Sequence, residues 1–217
     1  INYFIEIMNQ KNGKNSLGLD KCFEEQENPI ELFKKWFSKA EETEINDPNA
    51  LALATSDKNN QPSVRMVLLK GISEKGFVFY TNFESKKGND LKSNQKASMC
   101  FHWKSLRRQI RITGAVEKVS DQEADEYYHS RPYKNKIGAW ASSQSQILDK
   151  RENFIKKIKE YEKKFPEQKK VPRPSNWSGW RLIPDAIEFW LDGEGRIHER
   201  LNFKKNKNKW TKELLYP

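Results

Sequence analysis

The 217-residue chain contains few of the residues that bind metals or cross-link proteins. Its two cysteines, Cys22 and Cys100, and its three histidines follow no metal-ligand or redox spacing. No apolar run approaches the ~20 residues that a membrane-spanning helix needs. The apolar residues 1–8 lack a basic segment and a small-residue cleavage site. We therefore expect a reduced, cytoplasmic protein with no metal centre, membrane span or signal peptide.

The composition is rich in positive charge, with 40 Lys and Arg against 30 Asp and Glu and a net charge of +10. Such an excess fits nucleic-acid binding, an anionic small ligand or a solvated lysine-rich surface. Much of it lies in residues 156–164 and 204–209, where Glu or Asn interrupts the lysines. A solvated surface therefore explains most of the charge.

Hydrophobic periodicity predicts a mainly β protein with peripheral helices. Residues 1–27 show no clear period and are expected to form an arm, and Asn28 and Pro29 open an amphipathic helix that ends near residue 42. Capping signals predict further helices from Ser120 to before Pro132 and over residues 149–164. Short segments rich in Val, Ile and aromatic residues predict strands at 51–55, 63–70, 76–81, 97–103, 107–119, 186–191, 196–203 and 210–215. We predict one α+β domain over residues 28–217, built on an antiparallel sheet or barrel.

Two segments combine cations with features of an anion site. Arg65 and Lys70 occupy an apolar strand, where each needs an anion unless it extends to solvent at a strand end. Strict alternation places them on opposite faces, where they would bind two different anions, unless the alternation breaks near Lys70. Ser85 is a candidate N-cap for a short helix over residues 86–93 that begins with Lys86 and Lys87. A helix N-terminus with a hydroxyl and two lysines is a candidate phosphate site, although solvated lysines at helix starts are common.

Three later segments carry polar groups suited to ligand binding. Tyr127 and Arg131 are four residues apart on one helix face and could hold one phosphate, unless Arg131 only interacts with the helix dipole. The polar run 138–146 could contact a heteroaromatic ring or a phosphate, or form a loop. Arg196, His198 and Arg200 share one side of a predicted strand. A carboxylate such as Glu188 could join them, but a bound anionic ligand is the interpretation we favour.

In this order and spacing, the segments resemble the pyridoxine/pyridoxamine 5'-phosphate oxidase family over about residues 28–217. The resemblance rests on the 65–70 strand, Phe79-Tyr80-Thr81-Asn82, Ser85-Lys86-Lys87, Arg108-Gln109, Tyr128-His129-Ser130-Arg131-Pro132, Ile137-Gly138-Ala139-Trp140, Gln144-Ser145, Glu188-Phe189-Trp190 and Arg196-Ile197-His198-Glu199-Arg200. It implies an FMN-binding split β-barrel that forms a homodimer, with FMN across the subunit interface.

The resemblance also implies roles for individual residues. Arg65 and Lys87, with Lys86 nearby, are expected to hold the FMN phosphate. The rest of the flavin site would comprise Met66, Val67, Leu68, Tyr80, Thr81, Gln109, Gln144, Ser145, Trp190 and Arg200. The substrate phosphate would contact Lys70, Tyr127, Arg131 and Asn135. Arg196 and His198 are expected to face the pyridine ring as the catalytic pair, positioning and polarising it.

The implied reaction oxidises pyridoxamine 5'-phosphate and pyridoxine 5'-phosphate to pyridoxal 5'-phosphate. Hydride passes from the substrate C4' carbon to flavin N5, and dioxygen reoxidises the flavin to yield hydrogen peroxide, with ammonia released from the amine. Such a protein has no nucleic-acid or membrane partner. The alternatives are another split-barrel flavoprotein, such as a flavin reductase or an oxidase of a different ring, and a basic nucleic-acid-binding protein.

Four positions depart from the family pattern, two of them, Glu199 and Ile197, only mildly. Lys86 stands where the family usually has Arg, Asn135 where it has Ser, Glu199 where it has Asp and Ile197 where it has Leu. Lys86 keeps the charge of an arginine but loses its bidentate geometry. In the arm, residues 8–12 carry neither the Arg nor the Tyr that covers the substrate in the family.

Overall fold

The structure is a computed structural model that describes residues 27–207 and 209–217. Five α-helices lie in this part of the chain: α1 (Pro29–Thr43), α2 (Lys86–Ser93), α3 (Asp121–Ser130), α4 (Tyr133–Ala141) and α5 (Arg151–Lys164). Three of them begin at the predicted caps, because the side chains of Asn28, Ser85 and Ser120 each accept a hydrogen bond from a backbone N–H of the first turn. The arm predicted over residues 1–27 lies almost entirely outside the described residues.

Nine antiparallel strands of the described chain form one sheet: β1 (Ala50–Ser56), β2 (Pro62–Leu68), β3 (Gly71–Ser73), β4 (Gly76–Asn82), β5 (Lys96–Trp103), β6 (Arg108–Lys118), β7 (Trp177–Leu191), β8 (Glu199–Asn206) and β9 (Lys209–Leu214). The order is β2-β1-β5-β6-β7-β4-β3, and β8 and β9 extend the sheet from the second half of β7. Most strands occupy the predicted segments, so the prediction of an antiparallel sheet is confirmed.

The sheet curls back on itself at the junction of β2 and β3. β2 pairs with β1 and β3 pairs with β4, at opposite ends of the strand order, yet only two residues separate β2 from β3. At this junction Leu69 N donates to Asn49 O and Lys70 N donates to Val78 O. Helix α1 packs its apolar face on the curled sheet, where the Phe33 ring meets Phe77 and Phe101 edge-on.

The structure differs from the sequence-based prediction in three segments. Helix α4 occupies residues 133–141 and so includes the first four residues of the polar run 138–146, and β7 begins at Trp177 instead of residue 186. Residues 194–196 form a 3-10 turn, so the strand predicted from Arg196 begins only at Glu199. The left-handed backbone of Gly195 and Arg196, both at φ 63°, is incompatible with an extended strand.

The lysine-rich surface is largely solvated, as predicted. Helix α5 contains no buried residue, and it packs on α4, where the Tyr161 ring lies against Trp140. Within residues 27–207 and 209–217, no helix combines the length and apolar character required to cross a membrane.

Candidate functional site

A cavity of about 540 Å³ lies where β2, β4, the start of α2 and the end of α3 meet. It brings together most of the predicted cofactor and substrate residues: Arg65, Met66, Val67, Leu68, Lys70, Tyr80, Thr81, Lys86, Lys87, Tyr127, Arg131, Asn135, Gln144 and Ser145. Its size is within the range of ~300–1,000 Å³ that ligand pockets span.

The Lys87 ammonium is buried in this cavity without a carboxylate partner among the described residues. Its Nζ donates to Thr81 Oγ1 at 3.0 Å, Ser85 Oγ at 3.3 Å and Gln144 Oε1 at 3.3 Å, all of which are neutral. Burial, with a smaller contribution from the charge of Arg65, lowers the pKa of Lys87 to about 8. A buried charge of this kind is costly unless an anion joins it, so the position suits an anionic ligand.

Arg65 points into a polar cluster that the sequence did not reveal. Its Nη1 donates to Thr55 Oγ1 at 2.6 Å and its Nη2 to Ser63 Oγ at 2.5 Å. Both hydroxyls donate in turn to Asp90 Oδ2, and Lys86 Nζ donates to Asp90 Oδ1 at 2.7 Å. Arg65 Nη2 itself lies 3.7 Å from Asp90 Oδ2. Burial raises the pKa of Asp90, but the bonds from Lys86, Thr55 and Ser63 outweigh it, and the net pKa is lowered.

The first turn of α2 packs closely against the backbone that precedes it. Ser85 Oγ accepts from Gly88 N at 3.3 Å and donates to Asn82 O, which fixes the helix start beside the lysines. A side chain at position 88 would place its Cβ 2.4 Å from Phe83 O, so only glycine fits there. The cap thus sets the N-terminus of α2 beside Lys86 and Lys87, an arrangement of the kind that binds phosphate.

A second cation, Arg131, lies on a stack of aromatic rings. Its guanidinium is 4.6 Å from the Trp177 ring centroid, and the Tyr127 ring stacks on Tyr80 at 4.0 Å. Arg131 Nη1 is buried without a hydrogen-bond partner, and burial lowers the pKa of the guanidinium. Burial also raises the pKa of Tyr127, which keeps its phenol protonated and able to donate. An unpaired buried N–H beside a phenol favours ligand binding over a helix-dipole role.

Five predicted site residues lie outside this cavity, around the second half of β7. Gln109 and Arg200 flank Trp190 on the neighbouring strands, and the His198 ring lies 4.6 Å from the Trp190 ring. His198 Nδ1 is 3.2 Å from both Asp192 Oδ1 and Gly193 N, so it has a partner in either protonation state. The Arg196 side chain is exposed, on a residue with left-handed backbone.

The structure does not place Arg196, His198 and Arg200 on one face of a strand, as the sequence predicted, because the strand begins only at Glu199. Arg200 Nε donates to Glu188 Oε1 at 2.9 Å, and Arg200 Nη1 donates to Tyr216 O. Arg111 also binds Glu188, and these two cations lower the pKa of Glu188 against the opposing effect of burial. Arg200 is therefore paired with Glu188, the carboxylate named as the alternative to a ligand, and the 3-10 turn separates Arg196 from the strand.

For Arg65 and Lys70, the expectation of strict alternation fails and the alternative, a break in the alternation near Lys70, holds. β2 ends at Leu68, so strict alternation does not reach Lys70, which lies in the connection to β3. Both side chains line the same cavity. Ser145, another predicted site residue, has a left-handed backbone at φ 71°, a conformation that is uncommon outside glycine and concentrates at functional sites.

Comparison with known proteins assigns the family. Residues 37–165 match the family model described as "Pyridoxamine 5'-phosphate oxidase", and residues 177–217 match the "Pyridoxine 5'-phosphate oxidase C-terminal dimerisation region". The chain belongs to the pyridoxine/pyridoxamine 5'-phosphate oxidase family. A member from Pelagibacter ubique is 61% identical over 95% of this chain and 100% of its own length. One from Agrobacterium fabrum is 53% identical over 90% of this chain and 95% of its own.

Solved structures confirm the split-barrel fold expected for this oxidase family. PhzG from Burkholderia lata 383, crystallised with tetrahydrophenazine-1-carboxylic acid, superposes with a TM-score of 0.87 at 29% identity, covering 94% of this chain and all of that one. A pyridoxamine 5'-phosphate oxidase-related, FMN-binding protein from Nostoc punctiforme gives a TM-score of 0.71 at 17% identity over 88% of this chain and all of that one. Membership of the oxidase family indicates a flavin cofactor.

Two residues of the oxidase site were missed at the sequence level. Asp90 follows Lys86 by four residues in the predicted helix, a spacing typical of an ion pair, so that signal was present. Trp177 carries no local signal, because its contact with Arg131 depends on β7 passing the end of α3.

Proposed function

We propose that this chain is an FMN-dependent oxidase that converts pyridoxamine 5'-phosphate and pyridoxine 5'-phosphate to pyridoxal 5'-phosphate, in the cytoplasm and with dioxygen as acceptor. The observation that carries the proposal is that one cavity holds two cations, Lys87 and Arg131, neither of which pairs with a carboxylate within the described chain. A flavin mononucleotide and a phosphorylated substrate would each supply one of the missing anions.

The residues around Lys87 fit the phosphate of FMN. Three of the five N–H groups of Arg65 bind Leu53 O, Thr55 and Ser63, which leaves two for a ligand. Arg65, Lys86 and Lys87 would therefore hold the phosphate at the start of α2. Met66, Val67, Leu68, Tyr80, Thr81, Gln144 and Ser145 line the remainder of the cavity and would surround the ring system.

The residues around Arg131 fit the substrate phosphate. Tyr127 and Arg131 present a phenol and a guanidinium from the end of α3, and Lys70 and Asn135 line the same cavity. Trp177 screens the Arg131 guanidinium from water, which strengthens its attraction for an anion. Substrate and cofactor phosphates would thus bind at separate cations in one cavity.

A homodimer is part of the proposal, because the cavity of one chain lacks the predicted catalytic residues. Gln109, Trp190, Arg196, His198 and Arg200 lie elsewhere, and all but Gln109 fall in the segment that matches the dimerisation region. A second copy would bring this cluster to the cavity. The outer face of β2 supports the proposal, since Val64 and Met66 are 68% and 65% exposed beside the cavity.

In the assembled site the protein would bind, orient and exclude water from the reacting groups. Bound FMN would supply the two-electron oxidation of the substrate C4' carbon, with dioxygen as final acceptor and hydrogen peroxide as by-product. Arg196 and His198 would orient the pyridine ring. Asp192 and Gly193 hold His198 Nδ1, so its Nε2 is the nitrogen left for the substrate.

Peroxide release by the purified FMN-loaded protein tests the proposal. We expect hydrogen peroxide with pyridoxamine 5'-phosphate and pyridoxine 5'-phosphate, and little with their unphosphorylated forms, which cannot engage Arg131. An oxidase of a different ring would load FMN and leave both phosphorylated substrates unchanged. A basic nucleic-acid-binding protein would not retain FMN at all.

A further inference from the structure

The buried carboxylate of Asp90 lies at the centre of the cation cluster beside the cavity. Its side chain is 2% exposed and contacts two hydroxyls and an ammonium: Thr55 Oγ1 at 2.7 Å, Ser63 Oγ at 2.8 Å and Lys86 Nζ at 2.7 Å. Asp90 does not line the cavity itself. It can therefore act on a bound ligand only through the residues that it contacts.

The hydroxyls of Thr55 and Ser63 connect Asp90 to the Arg65 guanidinium. Each hydroxyl of Thr55 and Ser63 has one proton and two lone pairs. A carboxylate only accepts, so both protons point to Asp90 Oδ2, and both oxygens are left to accept from the Arg65 guanidinium. Without the carboxylate the two protons lose their common acceptor, and the hydroxyls lose the fixed orientation that presents a lone pair of each to the guanidinium.

The same carboxylate holds Lys86 through its other oxygen, so one residue orders two of the three cations at the start of α2. The charges are consistent with this arrangement. Arg65, Lys86 and Lys87 carry three positive charges against the negative charges of Asp90 and of Asp57, which lies 3.8 Å from Lys86 Nζ, so the cluster keeps a net positive charge that suits a phosphate.

We propose that Asp90 is a positioning residue that orients Arg65 and Lys86 toward the phosphate of the flavin cofactor. The inference rests on the proposed function, because it assigns this anion site to FMN. It predicts an effect opposite to that of simple electrostatics. A carboxylate near a phosphate repels it, so removal of the charge alone would strengthen phosphate binding, whereas loss of the positioning weakens it.

The test is the affinity of the apo protein for FMN and for riboflavin, which lacks the phosphate, in the variant Asp90→Asn. The amide keeps the size of the side chain, but it cannot accept from both hydroxyls and from Lys86 together. We expect FMN affinity to fall about 10- to 100-fold, as for one lost charge-assisted hydrogen bond, and riboflavin affinity to change less than about threefold. Tighter or unchanged FMN binding, or an equal loss for riboflavin, would overturn the proposal.

Asp57→Asn is the matched control. Asp57 Oδ2 lies 3.8 Å from Lys86 Nζ, so this variant removes a nearby charge without touching Thr55 or Ser63. Its Oδ1 bonds to Asn59 N and Gln61 N can be made by an amide oxygen, so the turn should persist. We expect its affinity for both flavins to stay within about threefold of wild type. A loss equal to that of Asp90→Asn would show that the effect does not depend on the contacts with Thr55 and Ser63, and would overturn the proposal.

Ser63→Ala is a second variant that tests the same proposal if Asp90→Asn does not fold. It removes one of the two hydroxyls that connect Asp90 to Arg65 and leaves the carboxylate, so FMN affinity should fall while riboflavin affinity stays unchanged. An unchanged FMN affinity would contradict the positioning role. In the Arg65→Ala background, Asp90→Asn should cost less FMN affinity than in wild type. If the wild-type protein does not bind FMN, both this proposal and the proposed function are overturned. If the wild-type protein is an active oxidase and Asp90→Asn binds FMN normally, only the positioning role is overturned.

Discussion

Replacement of Lys87 by methionine should stabilise the apo protein and weaken flavin binding at the same time. The Lys87 side chain is 7% exposed and contacts Thr81, Ser85 and Gln144, none of which carries a charge. In the absence of an anion, this buried ammonium therefore lowers the free energy of unfolding of the apo protein. Methionine has a similar length, no charge and no need of a hydrogen bond.

The magnitude follows from the pKa of Lys87. Burial lowers this pKa from its usual 10.5 to about 8, and each unit corresponds to about 1.4 kcal/mol, so charge burial costs the folded apo protein about 3 kcal/mol at pH 7. Three weak hydrogen bonds are lost with the ammonium, so we expect a net stabilisation of about 1–2 kcal/mol in Lys87→Met. FMN affinity should fall by about 10- to 100-fold, because a charge-assisted phosphate contact disappears.

The pH dependence separates this explanation from improved packing. Between pH 8 and 10.5 the unfolded chain keeps the Lys87 proton and the folded apo protein loses it, so wild-type stability rises relative to the variant across this interval. The advantage of Lys87→Met should be largest below pH 8 and absent above 10.5. Urea unfolding of both apo proteins at pH 7 and pH 10, with FMN titration at pH 7, provides the assay. A less stable variant at pH 7, or an advantage independent of pH, would refute the reasoning.

Three further variants test the remaining assignments. Arg65→Ala should weaken FMN binding by about 10- to 100-fold in a flavin fluorescence titration, and wild-type affinity would refute its role at the phosphate. Arg131→Ala should keep its FMN and raise KM for pyridoxamine 5'-phosphate by about tenfold or more in steady-state kinetics; an unchanged KM with a lower Tm would return the residue to a structural role. Arg196→Ala should lower kcat more than it raises KM, and unchanged kinetics would exclude it from the site.

The sequence predicted the starts of helices well where a capping residue marks them. Asn28, Ser85 and Ser120 cap their helices as expected, because an N-cap needs only the backbone of its own first turn. The 3-10 turn at residues 194–196 was missed because a left-handed Arg196 has no signature in sequence. Helix α4 was missed because its polar, glycine-containing sequence resembles a loop and it packs on α5.

The candidate site was predictable in its residue types but not in its grouping. Side-chain chemistry identified Lys87 and Arg131 as anion-binding candidates, and the structure shows that both line one cavity. Their lack of carboxylate partners depends on tertiary contacts that no spacing encodes. Glu188 was named as an alternative partner from the sequence, and the structure shows that it joins Arg111 to Arg200 across three strands, so it pairs with a cation that the favoured interpretation assigned to a ligand.

The most direct test of the proposed oxidase is the reductive half-reaction without oxygen. Protein loaded with FMN would be mixed anaerobically with pyridoxamine 5'-phosphate, while flavin absorbance and pyridoxal 5'-phosphate are followed together. We predict that the flavin is fully bleached, that one pyridoxal 5'-phosphate forms for each flavin reduced, and that oxygen restores the colour. A flavin that stays oxidised with both phosphorylated substrates would contradict the proposed function.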